Sequence, residues 1–415
     1  MIDNKRRVAV TGTGIISCLG LTKAEVQQAL RTGKSGVRLL EERKKLGFRS
    51  GLSGVISGFD PHKILNKKSR KTLPEFGLWA WDAIIQALEQ AGIERTDIKN
   101  DPRTGLIFGN DSSAVTAVEQ VDTLRTAGET ATIGSGHIFR LLNSTLTLNF
   151  STLLGIRGMS WTISAACASG AMAIGQAAEL IAADRQDRII CGGAQEISWQ
   201  SMCSFDALGA FSRSEDDPTS ASKPFDQNRD GLVPSGGAAA LILEDFDAAK
   251  ARGATILGEI IGYANTSDGF HIVVPSGEGI ERAMHQAITD SGLRPEDIDL
   301  VLAHATSTPT GDEAEARALR SVFDVDQDKK GPLITAVKGL TGHEFWMAGA
   351  AQVVYGILMA QGGFVAGNPN LKTPDSAAKN LRFSLETSNI SASHLMMNAA
   401  GFGGTNACLI LKIIE

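Results

Sequence analysis

The chain repeats itself at an offset of two hundred residues. WDAIIQALEQAGIERTDI matches ERAMHQAITDSGLRPEDI at Ala83/Ala283, Gln86/Gln286, Ala87/Ala287, Gly92/Gly292, Asp97/Asp297 and Ile98/Ile298. Each copy has the apolar spacing of an amphipathic helix and stops at a glycine, which takes the left-handed conformation past a helix end at little cost. An apolar run follows each copy, GLIFGND from Gly105 and DLVLAHATST from Asp299, and reads as a buried strand with polar residues at its C-terminal end. A second echo pairs GLVPSGGAAALILED from Gly231 with AAGFGGTNACLILKI from Ala399: a glycine pair, then a strand, closing each unit. A duplicated α/β domain explains these matches together; chance likeness between two amphipathic helices is the alternative. The predicted boundary lies near residues 245 to 260, giving halves of 1–255 and 256–415.

With 415 residues the chain can bury a large core without disulfides or metal. The net charge of −6 argues against nucleic acid as a partner, since neutralising many phosphates calls for a basic excess or stripe. Five cysteines, Cys18, Cys167, Cys191, Cys203 and Cys408, form no C-x-x-C pair, so neither a zinc site nor a disulfide framework is expected. The first residues, MIDNKRRVAVTG, lack the apolar core of a signal peptide, which points to a cytoplasmic protein. The longest apolar stretch, Ile163 to Ala183, is broken by Ser, Gln and Glu and reads as a strand end followed by a buried helix, not a membrane span.

In open α/β sheets ligands sit beyond the carboxyl ends of strands, and four such loops carry chemistry-bearing residues. AACASG holds Cys167 at a turn into a helix, where the helix dipole and free backbone amides favour a thiolate nucleophile; a small buried cysteine is the commoner fate and is assigned to the other four. AHATSTPTGDEAEARAL presents His304 at a strand end. TAVKGLTGHEFWMAGAA presents Lys338 after a strand and His343 at the start of an apolar helix, where the dipole favours a neutral, hydrogen-donating imidazole. Taken singly such residues are more often structural; three strand-end loops together are harder to dismiss. NAAGFGGTNA offers glycines 401, 403 and 404, which let backbone amides approach a ligand as an oxyanion hole does, or which form a simple turn. Two other patterns are rejected: GTGIIS has Ser17 where a dinucleotide fingerprint needs glycine, and Gly33-Lys34-Ser35 lacks the first glycine of a phosphate loop.

These strings resemble the elongating β-ketoacyl-acyl carrier protein synthases of the thiolase superfamily, from VAVTGTG at Val8 to GFGGTNA, through SAACASG, HATSTPTGDEAE, KGLTGH, FDQNRDG and TSDGFHIVVPSGEG. The last two strings are closer to the branch that also makes unsaturated acyl chains. The resemblance implies a duplicated five-layer α-β-α-β-α thiolase-like fold with two mixed sheets, no cofactor and no metal. It implies that Cys167 takes an acyl group from a carrier-protein thioester, its amide and that of Phe402 holding the oxyanion, and that His304 and His343 hydrogen-bond the thioester carbonyl of malonyl-carrier protein as carbon dioxide leaves. Lys338 and Glu315 match the residues that position the histidines. Phe402 matches the gate to the acyl pocket, Thr306 and Thr308 the binders of the pantetheine arm, and Gly401 and Gly403 fall in the same substrate-binding loops.

Carrier-protein docking needs basic residues near the mouth, and Lys67, Lys68, Arg70 and Lys71 supply a cluster, unless they are merely a solvated helix start. The family is also homodimeric, the segment from Ile138 to Thr145 contributing to the neighbour's pocket; a heterodimer with a related synthase is the variant. The chain departs from the family after His343, where Trp346 and Met347 replace small residues, and at Ala399 and Ala400, which replace a Ser-Phe pair. An acyl preference unlike that of a housekeeping elongation enzyme is therefore expected. Rival readings are a ketosynthase of a specialised polyene or polyketide pathway, a thiolase, and a non-catalytic chain-length factor. GFGGTN lacks the thiolase's second cysteine, and Cys167 argues against the last.

Overall fold

The computed structural model describes residues 5–325 and 331–414. Thirteen strands occur among them: β1 Val8–Ile16, β2 Val37–Leu39, β3 Leu52–Gly54, β4 Thr104–Gly109, β5 Ser160–Ile163, β6 Arg188–Gln195, β7 Gly237–Asp245, β8 Gly258–Ser267, β9 Leu300–Leu302, β10 Leu333–Thr335, β11 Arg382–Phe383, β12 His394–Gly401 and β13 Thr405–Ile413. Apart from the β2–β3 hairpin they join in the order β11-β10-β9-β12-β13-β8-β1-β7-β6-β4-β5.

Read outward from the middle, that order is the same sentence twice. β1-β7-β6-β4-β5 on one side corresponds to β8-β13-β12-β9-β10 on the other. The senses agree as well, antiparallel for the first two neighbouring pairs and parallel for the next two. The two sheets expected are these two five-stranded halves; they form one hydrogen-bonded run because β1 and β8 meet antiparallel at Ala9/Glu259 and Val10/Gly258.

The repeated helices are Glu75–Ala91 and Glu278–Ser291, each closed by its glycine in the left-handed conformation, Gly92 at φ 63° and Gly292 at φ 71°. Asp97 and Asp297 do the same job in both copies, accepting the amide three residues upstream at 2.9 Å. The matched alanines pack onto matched glycines. A Cβ at Gly12 on β1 would stand 2.0 Å from the Ala87 carbonyl oxygen, and one at Gly262 on β8 2.4 Å from that of Ala287.

Three apolar cores define five layers. One lies between the outer helix Glu75–Ala91 and the N-terminal strands, one between the helices Glu278–Ser291 and Pro309–Val322 and the C-terminal strands, and the largest surrounds two inner helices, Ser169–Ala182 and Ala348–Gly362. The strands bury both faces, so they read as continuous apolar runs instead of alternating ones. The apolar stretch from Ile163 resolves into the end of β5 and the first inner helix, and among the described residues no helix is long and apolar enough to cross a membrane.

The inner helices touch at their starts because the residues there are small. A Cβ on Gly349 would lie 2.5 Å from the Ala171 Cβ, and one on Gly170 3.1 Å from the Ala350 amide. Cys167 precedes one of these helix starts and His343 the other. This close crossing is what brings the two loops together.

Candidate active site

Cys167 sits in a tight turn between β5 and the first inner helix. The preceding residue, Ala166, is held at φ 47°, a conformation non-glycine residues adopt rarely and mostly where function requires it. Ser169 secures the turn, accepting from the Ala165 amide at 2.8 Å and donating to the Ala166 carbonyl at 2.6 Å. From the loop before the other inner helix comes His343, whose Nε2 stands 3.0 Å from Cys167 Sγ. His304, two residues past β9, meets His343 edge to face, ring centroids 5.2 Å apart. All three are buried.

Glu315 sets the height of His304. Its Oε1 accepts from the His304 amide at 2.8 Å and its Oε2 from the Ala305 amide at 2.7 Å, while Asn398 on β12 donates to Oε1 at 3.0 Å. Arg229 and Asp312 brace the same loop. Arg229 donates to the carbonyls of Thr308 and Pro309 at 3.1 and 2.6 Å, and Asp312 accepts from the Ser307 amide at 3.0 Å and the Phe225 amide at 2.8 Å. That gives the FDQNRDG string a structural task the sequence left open. Asn398 was overlooked; a polar residue inside the apolar strand LMMNAAG is the signal that could have found it.

Two sequence expectations are corrected here, one electrostatic and one of helix placement. The helix dipole was expected to make Cys167 anionic, but burial dominates and pushes its thiol up to about 12, against the Lys338 charge and the sulfur's own backbone amide, which pull it down. A desolvated sulfur loses more by leaving water than one helix end returns. His343 does not open the apolar helix as expected; a short helix, Lys338–Thr341, precedes it, and the inner helix begins at Ala348. Its imidazole is still held neutral, far below 6.5, by burial and then by the Lys338 charge. The same causes, with His343 added, lower His304.

Lys338 itself is buried, its Nζ without a hydrogen-bond partner. Burial lowers its pKa while Glu315 and Glu344 oppose that fall. Glu344, beside His343, receives the Tyr355 hydroxyl at 2.6 Å, and burial lifts its carboxyl to about 7. Two buried acids thus face the ammonium. The Glu344 and Tyr355 pairing was also missed, since residues eleven apart meet only once the chain folds.

A cavity of about 310 Å³ leads to this cluster, lined by Cys167, His304, His343, Thr306, Thr308 and Phe402 among others. Gly401 lines it too, and its backbone runs so close to the nucleophile turn that a Cβ would lie 3.0 Å from the Cys167 amide nitrogen. Thr405 Oγ1 ties that glycine loop to the turn by donating to the Ala165 carbonyl at 3.1 Å. Gly403, expected beside the substrate, is outside the lining and exposed, its amide donating to the Ile272 carbonyl at 2.8 Å. The basic cluster is not brought to this mouth either. Lys67, Lys68, Arg70 and Lys71 lie on and just after a short helix against Gly136, and none of them lines the cavity. Of the two bulky departures, Trp346 packs with Cys167, whereas Met347 turns into the core around the inner helices.

The sequence matches the family described as "Beta-ketoacyl synthase, N-terminal domain" over residues 5–249 and "Beta-ketoacyl synthase, C-terminal domain" over residues 257–372. The chain belongs to the β-ketoacyl synthase family. A 3-oxoacyl-[acyl-carrier-protein] synthase 1 of Haemophilus influenzae is 38% identical over 410 residues, 98% of this chain and 99% of that protein. A β-ketoacyl synthase from Burkholderia phymatum superposes with a TM-score of 0.92 at 33% identity, covering 99% of this chain and 100% of the other. A type II PKS acyl-carrier protein in complex with its ketosynthase bound to the hexaketide gives a TM-score of 0.89 at 28% identity, with 99% and 100% covered. The β-ketoacyl synthase described above is therefore an acyltransferase-type condensing enzyme of the thiolase fold.

Proposed function

We propose that this enzyme catalyses the decarboxylative condensation of an acyl group on Cys167 with malonyl-acyl carrier protein in fatty acid synthesis. The observation that carries the reading is the 3.0 Å approach of Cys167 Sγ to His343 Nε2 in a buried site shared with His304. A thiol raised to about 12 is a poor nucleophile alone. His343 relieves this by hydrogen-bonding the sulfur across that 3.0 Å contact as the thiolate forms and attacks the acyl thioester, the buried Lys338 charge favours the thiolate, and the thiol proton passes to the departing carrier sulfur. The tetrahedral oxyanion falls to the amides of Cys167 and Phe402. The carrier thiol then leaves with the proton, and Cys167 holds the acyl group.

Malonyl thioester enters next. His304 and His343, both neutral, donate hydrogen bonds to its carbonyl as the carboxylate departs as carbon dioxide. The bond electrons become an enolate, which attacks the acyl carbonyl and expels Cys167 as thiolate. Hydrogen bonds to that oxygen act where charge appears in the transition state, so they accelerate the reaction instead of merely tightening binding. Lys338 and Glu315 position the histidines, and Thr306 and Thr308, whose hydroxyls lie 3.1 Å apart on the cavity wall, hold the pantetheine arm.

The same reading takes the chain as two thiolase-like halves, 1–255 and 256–415, acting in the cytoplasm as a homodimer. Support for the dimer is an edge strand, β5, with no strand outside it among the described residues, near exposed Ile138, Phe139 and Leu148. A ketosynthase of a specialised pathway shares these catalytic groups, and the bulk of Trp346 beside Cys167 is the feature that favours it.

Intact-mass measurement after incubation with acyl-carrier proteins tests the proposal. The expected result is one acyl adduct, absent from Cys167→Ala, which is consumed with release of carbon dioxide when malonyl-carrier protein is added. Full condensing turnover by Cys167→Ala would overturn it.

A further inference from the structure

A condensation holds two groups at the sulfur at once, the acyl chain already attached and the malonyl thioester with its arm. The cavity reaches Cys167 from one side, past Thr306, Thr308 and Phe402. At about 310 Å³ it lies near the lower end of small-molecule sites, roughly 300–1,000 Å³. In the second half-reaction the malonyl thioester and its arm occupy it. The acyl chain must therefore leave the sulfur by another route; Trp346, Met202 and Phe211 share the apolar cluster of Cys167 without lining that cavity, whereas Phe345 does both.

Trp346 and Phe345 pack with Cys167, together with Met202 and Phe211, and Phe205 lies against them. Trp346 is 5% exposed; its Nε1 donates to Ser112 Oγ at 3.4 Å, and its ring lies 5.6 Å from that of Phe345 and 6.4 Å from that of Phe205. The backbone beneath it has no slack. A Cβ on Gly170 would stand 2.8 Å from the Trp346 carbonyl oxygen and one on Gly193 2.7 Å from the same atom. Phe345 is held at φ 43°, where a bulky residue is strained, and its ring stacks on His343 at 4.7 Å. The indole thus stands on a constrained turn, its nitrogen on Ser112 and its ring among those of Phe345 and Phe205. Moving it would disturb the ring stacked on the catalytic imidazole.

We propose that Trp346 closes the space behind Cys167 and restricts the enzyme to acyl groups of a few carbons. The proposal rests on the condensing reading above and names the substrate class of that same site. The chain has spent the room for a long acyl tail on an aromatic wall. Substitution of Trp346 by a small residue reopens that room while leaving the sulfur, both histidines and the entrance cavity in place.

The test is a competition among acetyl-, butyryl-, octanoyl- and palmitoyl-carrier proteins, read as the rate of each adduct on Cys167 by intact mass, for the native enzyme, Trp346→Gly and Trp346→Leu. The native enzyme is expected to load acetyl and butyryl groups at least about 100-fold faster than octanoyl or palmitoyl, because overfilling a packed wall costs a few kcal/mol. Trp346→Gly is expected to bring octanoyl loading within about 10-fold of butyryl loading, with Trp346→Leu between the two. Should Trp346→Gly fail to fold, Trp346→Leu decides by the same shift. Native loading of palmitoyl groups as fast as acetyl groups overturns the plug while leaving the condensing reading intact. So does an unchanged short-chain profile in a folded variant that still loads acetyl groups. No adduct with any chain overturns the condensing reading, and the plug with it.

Discussion

The loops after β5 and β10 hold the same place in their two halves, and each leads into an inner helix. One carries a sulfur; the other carries an ammonium and an imidazole. The loops after β4 and β9 diverge in the same way, Asn110 and Asp111 against His304. The two halves thus present the same strand-end platform, and the chemistry lies in how unlike the residues on it are. Their edges differ too: β11 covers β10 at Leu333/Arg382 and Ile334/Phe383, whereas β5 is left at the margin of the sheet. The half that keeps the nucleophile is the half with an open edge.

The sharpest way to probe this comparison is to remove His304, the imidazole that serves condensation alone, and ask which chemistry survives. His304→Ala is expected to leave acyl transfer to Cys167 near its native rate while condensation falls about 100- to 10,000-fold, the range for a positioned acid or base. Single-turnover acylation and steady-state condensation, measured separately, check this. Equal losses in both would mean that the halves do not divide the reaction.

A second comparison concerns packing. Gly12→Ala and Gly262→Ala each force a methyl group into the carbonyl of a matched helix residue, at 2.0 Å and 2.4 Å. Each is expected to cost about 1–3 kcal/mol in urea unfolding, the tighter Gly12 site more. A neutral Gly262→Ala would break the equivalence of the two helix seats.

The smallest effect is in pH. His304 and His343 stay neutral in the fold far below 6.5, while in the unfolded chain they take up protons near that value. The unfolded chain therefore binds more protons below about 6.5, and stability falls as pH drops, by up to about 1.4 kcal/mol per pH unit per histidine. Glu344 acts in the opposite sense between its ordinary range and about 7, because the fold favours its protonated form. The difference between native enzyme and His304→Ala isolates the histidine. Denaturation at pH 7.5 and 5.5 should show a shallower acid loss in the variant; identical slopes would place His304 in contact with water.

Much of this was legible in the residues. The paired Ala, Gln and Gly positions announced two matching units, and the Cys, His, Lys and His loops fell at strand ends where ligands gather. What was not legible depends on burial. The helix dipole at Cys167 is local and can be read from sequence, but the burial that overrides it exists only in the folded interior, where Cys167 shares an apolar cluster with Phe211, Met202 and Trp346 from far along the chain. Neutrality of His343 was anticipated from a helix dipole and holds first because the ring is buried, with the charge of nearby Lys338 adding to it. Gly403 and the Lys67–Lys71 cluster sit in strings that suggested a ligand, yet only the folded backbone tells which side of the molecule a string faces.

The last strand described, β13, lies between β12 and β8, so it is an interior member of the sheet. Synthesis on the ribosome therefore yields the thiol early and leaves it without its partners until Thr405–Ile413 has slotted between two strands made before it. A chain short of that strand would hold the sulfur without the Thr405 tie that draws the Gly401–Phe402 loop onto its turn.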